Sequence, residues 1–319
     1  MLARGDWVRA LVRRGADALA ALGVEVALGD LRDPRSVADA CRGVDAVIHV
    51  AGKAGIWGPW REYFESNVLG TRHVLDGCRA HGVARLVYTS SPSVTFDGSD
   101  QCGVDESAPY ARRWLCHYPR SKAMAERLVL EADGCGGLRS CALRPHLIWG
   151  PRDRHLVPRL IDRARRGRLR RVGDGDNRID MIYVENAAAA HLAALDALAE
   201  RRSPVGGRAY FISQGEPVRC WQWIDEILAL VGLPPVRRSI PLPAARAVGA
   251  ALEAAWSLLR LPGEPPMTRF LAEQLARSHY FDIRRAREDF GYAPRVSTEE
   301  GMRRLGRWLR GADNRPPSD

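Results

Sequence analysis

Tyr118-Pro119-Arg120-Ser121-Lys122 sets a phenol and an ammonium four residues apart, which places both on one face of a helix. A free phenol titrates at about 10 and donates its proton reluctantly, whereas a lysine cation held beside it favours the phenolate and draws that value toward neutrality. Of 48 basic residues only Lys53 and Lys122 are lysines, so a lysine in this register is not the by-product of a lysine-rich surface. Taken alone, the pair fits an acid built from tyrosine and equally a solvated Tyr/Lys pair on an amphipathic helix. What precedes it separates the two readings. Ala84-Arg85-Leu86-Val87-Tyr88-Thr89-Ser90-Ser91-Pro92-Ser93-Val94 reads as a buried strand ending in hydroxyls. In open α/β sheets the carboxyl ends of the strands face the crevice where ligands bind, so these hydroxyls and the Tyr118 helix are expected to meet there.

Outward from this core, the patterning gives strands near 7–12, 24–28, 44–50, 84–90 and 138–144, alternating with helices near 34–41, 60–80 and 118–132. That alternation is the mark of a parallel α/β sheet. Beyond Gly150 the texture changes to proline-punctuated helices at Val157 to Gly167, Trp221 to Val231, Ala244 to Leu261 and Met267 to Ala276, with a strand at Ala209 to Ser213. Residues 1–150 are therefore read as a dinucleotide-binding domain and 151–319 as a smaller, mostly helical substrate lobe, with 180–198 returning to the first domain.

A strand-end serine followed by a Tyr-x-x-x-Lys helix resembles the short-chain dehydrogenase/reductase superfamily, and further segments resemble its extended, 3β-hydroxysteroid dehydrogenase-like branch. Phe64-Glu65-Ser66-Asn67-Val68-Leu69-Gly70-Thr71 is similar to the branch's Asn-Val-x-Gly-Thr helix, where Asn67 reads as a residue that locks its helix rather than as a reactant. Leu143-Arg144-Pro145-His146-Leu147-Ile148-Trp149-Gly150-Pro151 is similar to its Arg-Pro-x-x-Ile-Tyr-Gly-Pro segment beside the nicotinamide. Tyr183-Val184-Glu185-Asn186-Ala187 is similar to its Val-x-Asp-Val segment, with Glu185 and Asn186 as departures. The resemblance implies a Rossmann-like doubly wound sheet in the order 3-2-1-4-5-6.

The match begins late. Met1 to Arg14 resembles the end of the family's first helix followed by its second strand, so the first strand and the glycine loop that would seat a pyrophosphate are expected to be missing. Gly52-Lys53-Ala54-Gly55-Ile56-Trp57-Gly58 fits G-x-x-G-x-x-G literally but is a decoy. Two strand candidates precede it, and the interval to Ser91 has room for one helix and one strand only. It is read as the turn after the family's fourth strand, beside the ribose and nicotinamide half of the cofactor. Loss of the central strand leaves two edges with unmet hydrogen bonds, which implies a chain that folds poorly alone. It also implies a natural start roughly 15 to 25 residues upstream, with Met1 an internal methionine or a truncation point.

Cofactor choice is read from the end of the second strand, where a carboxylate bonds a ribose 2'-hydroxyl and an arginine attracts a 2'-phosphate. Arg13 and Arg14 stand there, favouring NADP(H) over a pair that merely caps the strand. By resemblance Asp30 and Leu31 contact the adenine. Small Ala51 and Gly52 let the backbone approach the dinucleotide, and Lys53, Thr89, Pro145 and Leu147 line the same cofactor site. The implied chemistry is hydride transfer to a ketone, with Tyr118 protonating its oxygen and Ser91 hydrogen-bonding it. Ser91 is preferred because it stands three before Val94, matching the family's Ser-x-x-Val, which leaves Ser90 a structural hydrogen bond. Lys122 lowers the pKa of Tyr118 and, by resemblance, bonds the nicotinamide ribose.

The runs Val50 to Gly58, His117 to Glu126, Arg144 to Pro151 and Leu261 to Thr268 resemble the 2-alkyl-3-oxoalkanoate reductase family of bacterial long-chain olefin synthesis. That family reduces a β-keto acid to a 2-alkyl-3-hydroxy acid, which a β-lactone synthetase and a decarboxylase process further. The resemblance implies a homodimer, pairing through the helices at 60–80 and 118–132, and assembly with those two enzymes. Lys53 or His146 is available to pair with the substrate carboxylate. Trp57, Trp60, Trp114 and Trp149 either line room for alkyl chains or are core. A 3β-hydroxysteroid dehydrogenase and a non-catalytic NADP(H)-binding regulator stand as alternatives.

Bulk properties agree with an enzyme of this size. With 319 residues and 46% apolar content the chain can bury a substantial core. A net charge of +10, carried almost wholly by arginine, comes without a nucleic-acid motif, so nucleic acid is not expected as a partner. The densest basic run, Arg163 to Arg171, reads as a solvated helix end and loop. Seven cysteines without metal or disulfide spacing fit a reducing, cytoplasmic setting and no metal site. Ala244 to Leu261 is too short and too charged to span a bilayer and reads as an amphipathic helix suited to a membrane surface.

Overall fold

The computed structural model describes residues 1–200 and 202–311. Its first half runs β1 (Arg9–Val12), α1 (Asp17–Ala20), β2 (Glu25–Leu28), α2 (Pro34–Cys41), β3 (Ala46–His49), α3 (Trp60–Tyr63), α4 (Gly70–Ala80), β4 (Arg85–Thr89), β5 (Gln101–Val104), α5 (His117–Glu131) and β6 (Arg139–Pro145). The second half runs β7 (Ile148–Trp149), α6 (Leu156–Arg165), β8 (Arg171–Val172), β9 (Arg178–Ile179), β10 (Ile182–Tyr183), α7 (Val184–Ala197), β11 (Ala209–Ile212), β12 (Val218–Arg219) and α8 (Cys220–Ala229). It closes with β13 (Ser239–Ile240), α9 (Leu242–Leu259), α10 (Arg269–Ala276), β14 (His279–Phe281), α11 (Arg284–Phe290) and α12 (Thr298–Leu309).

Local sequence explains the boundaries. Asp33 caps α2 by accepting from the backbone N–H groups of Arg35 and Ser36, and Pro34 supplies the first helical residue, which needs no N–H partner. Leu86, Val87 and Tyr88 of β4 are buried, as a strand covered on both faces requires. The main sheet is wholly parallel, in the order β11-β6-β4-β3. β1 and β2 form a separate parallel pair. Between them lies a cleft of about 1670 Å³, lined by Arg9, Ala10 and Leu11 of β1 on one side and by Ala46 to His49 of β3 on the other. Among the described residues no strand pairs with the facing edges of β1 and β3. This is the doubly wound arrangement without its central strand.

Three departures from the sequence reading matter for the site. The stretch at 60–80 is not one α-helix: Phe64–Leu69 winds as a π-helix between α3 and α4. β11 pairs with β6 in the main sheet, although its residues follow the change of texture at Gly150. β5, which has no strand pattern in its own sequence, joins β12, β9 and β14 in a mixed second sheet. The lobe core gathers α6, α8 and α12 around Trp149, Trp221 and Trp223. No helix among the described residues is long and apolar enough to cross a membrane.

One charged pair ties α5 to the sheet. Arg144 donates from Nε (3.0 Å) and Nη2 (2.6 Å) to the Glu126 carboxylate, which also accepts from the Tyr110 hydroxyl at 2.7 Å. Both partners are buried, so removing one strands the other charge in a dry interior. Glu126→Ala is expected to lose about 3–5 kcal/mol of stability in urea denaturation, and Glu126→Met with Arg144→Met to recover most of it. An unchanged midpoint for the single variant would remove the pair from this role.

Candidate active site

β4 ends at Thr89, and the chain turns through Ser90 and Ser91 into a short 3₁₀ turn, Pro92–Val94. Ser91 begins that turn, its hydroxyl accepting from the Ser93 N–H at 3.3 Å and lying 2.8 Å from the Ser93 hydroxyl. Ser90 does not take the structural hydrogen bond expected of its side chain. Its Oγ is buried without a partner, and only its N–H is engaged, donating to the Leu143 carbonyl.

Tyr118 and Lys122 sit in the first two turns of α5 and converge on this strand end. The Tyr118 ring keeps part of its surface in solvent while its hydroxyl is enclosed, and that burial raises the phenol above its ordinary value. The nearby Ser91 hydroxyl works in the opposite direction. Lys122 is buried, donates from Nζ to the Thr89 carbonyl and lies 4.3 Å from the centre of the Tyr88 ring. Burial pulls its amine down to about 7, against a smaller upward pull from Glu126. The downward shift expected of Tyr118 is therefore not present in the protein alone: the dry surroundings push both groups toward neutrality.

Asn67, in the π-helical turn, organises the neighbouring loop. Its Oδ1 accepts from the Lys53 N–H at 2.6 Å, and its Nδ2 donates to the Lys53 carbonyl and to Ser121 Oγ on α5. A Cβ on Gly52 would fall 2.9 Å from Asn67 Oδ1, so the clamp demands glycine there. The glycine-rich run thus follows β3 and is fastened to α5. Tyr63 completes the fastening, its hydroxyl lying 3.0 Å from both the Gly55 and Trp57 carbonyls.

The cleft between β1 and β3 gathers Arg13, Asp30, Leu31, Ala51, Gly52 and Lys53 on its walls. Arg14 does not line it. Thr89, Pro145 and Leu147 stand apart from those walls, at the ends of β4 and β6, and Leu147 adopts a positive φ of 42°. Asp30 is already engaged by Arg32, whose hydrogen bonds and charge hold its carboxyl at about 2. Arg32 also lines the cleft and was not singled out by the sequence reading. Arg13 has no ion-pair partner among the described residues.

Two expectations about substrate contacts change. His146 cannot offer a cation: burial holds its imidazole well below the usual range, and Nδ1 bonds the Asp180 carbonyl at 2.7 Å. Trp149 is core, packed edge-on against Tyr183 and Trp223. Lys53 is exposed in part, with Nζ 2.8 Å from Glu62. Trp57, Trp60 and Trp114 are half-buried around the glycine-rich run and the start of α5.

Residues 12–243 match the 3-beta hydroxysteroid dehydrogenase/isomerase family. The chain is 49% identical over 308 residues to a Stenotrophomonas maltophilia protein named 2-alkyl-3-oxoalkanoate reductase, covering 96% of this chain and 92% of that one. A Shewanella oneidensis protein of the same name is 49% identical over 311 residues, covering 96% and 80%. Among solved structures, the UDP-glucose 4-epimerase of Thermus thermophilus in complex with NAD aligns with a TM-score of 0.71 at 26% identity, covering 98% of this chain and 93% of that one. Fold and relatives together define an oxidoreductase acting on CH–OH groups, built on the short-chain dehydrogenase/reductase scaffold. Within that class the chain belongs to the 3-beta hydroxysteroid dehydrogenase/isomerase family.

The lysine scarcity makes the Lys122 environment measurable. With lysine labelled at Cε by ¹³C, NMR should show two side-chain signals, and the one that survives Lys53→Arg should titrate at about 7. A titration near the ordinary lysine value would mean that Nζ is solvated.

Proposed function

We propose that this chain reduces a 2-alkyl-3-oxoalkanoic acid to the 2-alkyl-3-hydroxyalkanoic acid with NADPH, a step of long-chain olefin synthesis. The observation that carries the reading is the 49% identity, over almost the whole chain, with two bacterial reductases named for that substrate. Bound NADPH supplies the hydride. The Tyr118 hydroxyl gives its proton to the carbonyl oxygen, and the Ser91 hydroxyl hydrogen-bonds the same oxygen as negative charge develops on it. Lys122, fixed by the Thr89 carbonyl and the Tyr88 ring, offers a protonatable amine that steadies the phenolate once the proton has left.

The cofactor residues fit a phosphorylated dinucleotide. Arg13 is exposed at the cleft without a counter-ion among the described residues, which suits a 2'-phosphate. Gly52, bare of a Cβ beneath the Asn67 clamp, leaves the backbone open to close approach. Arg13 rather than Arg14 is assigned to the phosphate, and Arg32 joins it. A cytoplasmic homodimer, acting beside a β-lactone synthetase and a decarboxylase, is part of the same reading.

NADPH oxidation by the full-length protein is expected with a 2-alkyl-3-oxoalkanoate and not with a 3-ketosteroid. The reverse preference would favour a 3β-hydroxysteroid dehydrogenase, and no consumption of NADPH with either would favour a non-catalytic regulator. Tyr118→Phe should cost about 10³-fold or more in kcat while leaving the Kd for NADPH unchanged, whereas Lys122→Ala should weaken both. Arg13→Glu should lower the preference for NADPH over NADH by at least about tenfold, measured as the ratio of kcat/KM values.

A further inference from the structure

Lys122 is steered by one acceptor. Its Nζ donates to the carbonyl of Thr89, the last residue of β4 paired with β6, after which the chain turns away through Ser90 and Ser91. An ammonium has three rotatable donors, so whatever holds this carbonyl decides where the other two point. Pairing with β6 ends at this residue, so the ladder constrains it from one side only. The Thr89 side chain is held as well. Its Oγ1 lies 2.7 Å from Nε2 of His191 on α7. His191 Nδ1 lies 2.7 Å from the Ala187 carbonyl, one turn earlier in the same helix. A carbonyl only accepts, so Nδ1 carries the ring proton, and in the neutral ring Nε2 is the bare acceptor and the threonine hydroxyl the donor. Burial lowers the pKa of this imidazole, in keeping with the neutral form.

The rest of α7 shows what packing alone asks of this face. Ala187, Ala190 and Ala194 are buried and belong to one cluster with Val87 of β4 and Cys141 and Leu143 of β6. Small side chains bring the helix close to the sheet, and an imidazole buried among them costs desolvation that an apolar side chain does not. Among the described residues its hydrogen bond to Thr89 is the only one it makes outside α7. The line His191–Thr89–Lys122 therefore joins α7 through β4 to α5 and ends on the amine one turn from Tyr118. Tyr88, Glu126 and His49 also lie near Nζ, and their contacts remain when that line is cut.

We infer that His191 is a positioning residue: as a neutral imidazole protonated at Nδ1 it holds Thr89, so that the Thr89 carbonyl aims the Lys122 amine at Tyr118. The inference rests on the role proposed above for Lys122, but its first readout needs no turnover. With lysine labelled at Cε by ¹³C, His191→Leu and Thr89→Val should each move the Lys122 titration downward by at least about half a pH unit, because a carbonyl that is no longer held stabilises the cation less. His191→Gln, which keeps an acceptor where Nε2 stands, should move it less. In NADPH oxidation with a 2-alkyl-3-oxoalkanoate, His191→Leu should lower kcat about ten- to a hundredfold. The double variant with Thr89→Val should lose no more than either single change, because both cut one line. Should His191→Leu fail to fold, Thr89→Val carries the same test. A histidine that only packs would lower the melting temperature and leave the Lys122 titration of the folded protein where it was. That result, or losses in kcat that multiply in the double variant, would overturn the inference. A parent protein without turnover, whose Lys122 titration still responds to His191→Leu, would count against the reductase reading alone.

Discussion

Glu126 and Arg144 meet in the dry interior between α5 and β6, and the geometry of the site hangs on that pair. A bidentate carboxylate–guanidinium contact tolerates little sliding, because either ion left alone in the core costs several kcal/mol. It therefore fixes the register of α5 along the sheet. One turn toward the N-terminus lies Lys122, and one turn further Tyr118, which brings amine and phenol to the end of β4. Asn67 performs the corresponding task for the opposite wall, joining the Lys53 backbone to Ser121.

The same dryness governs the electrostatics. Drawing a lysine from its ordinary value to about 7 disfavours its cation by roughly 5 kcal/mol relative to water, more than one hydrogen bond to a carbonyl supplies in return. Tyr118 is pushed the other way for the same reason. Proximity in sequence implied a cation acidifying a phenol, whereas burial lowers the amine and raises the phenol, so each is pushed toward its uncharged form.

Much of the fold was legible because its signals are local. Alternating apolar runs, Pro34 behind Asp33 and the serines after Thr89 each act within a few residues. The glycine-rich run after β3 was separable from a phosphate loop by counting strands, and the gap between β1 and β3 agrees with that count. Other features had no local signal. The π-helical turn at Phe64–Leu69 reads as ordinary helix. β5 is short and finds its partner in β14, far along the chain. Asn186, a departure from the family segment, bonds Gln214 and the backbone of Arg295 and Val296, two segments distant from it in the chain.

By itself the sequence determined the parallel α/β architecture and the identity of Tyr118, Lys122 and Ser91 as candidates, since periodicity and spacing along one chain carry that information. The tertiary structure decided what each group can do. It alone set His146 below its usual range and Trp149 in the core, gave Asp30 to Arg32, left Arg13 rather than Arg14 on the cleft, and buried Glu253 of α9 against Arg269. Those outcomes depend on solvent exclusion and on partners distant in sequence, and neither is encoded in any short stretch of residues.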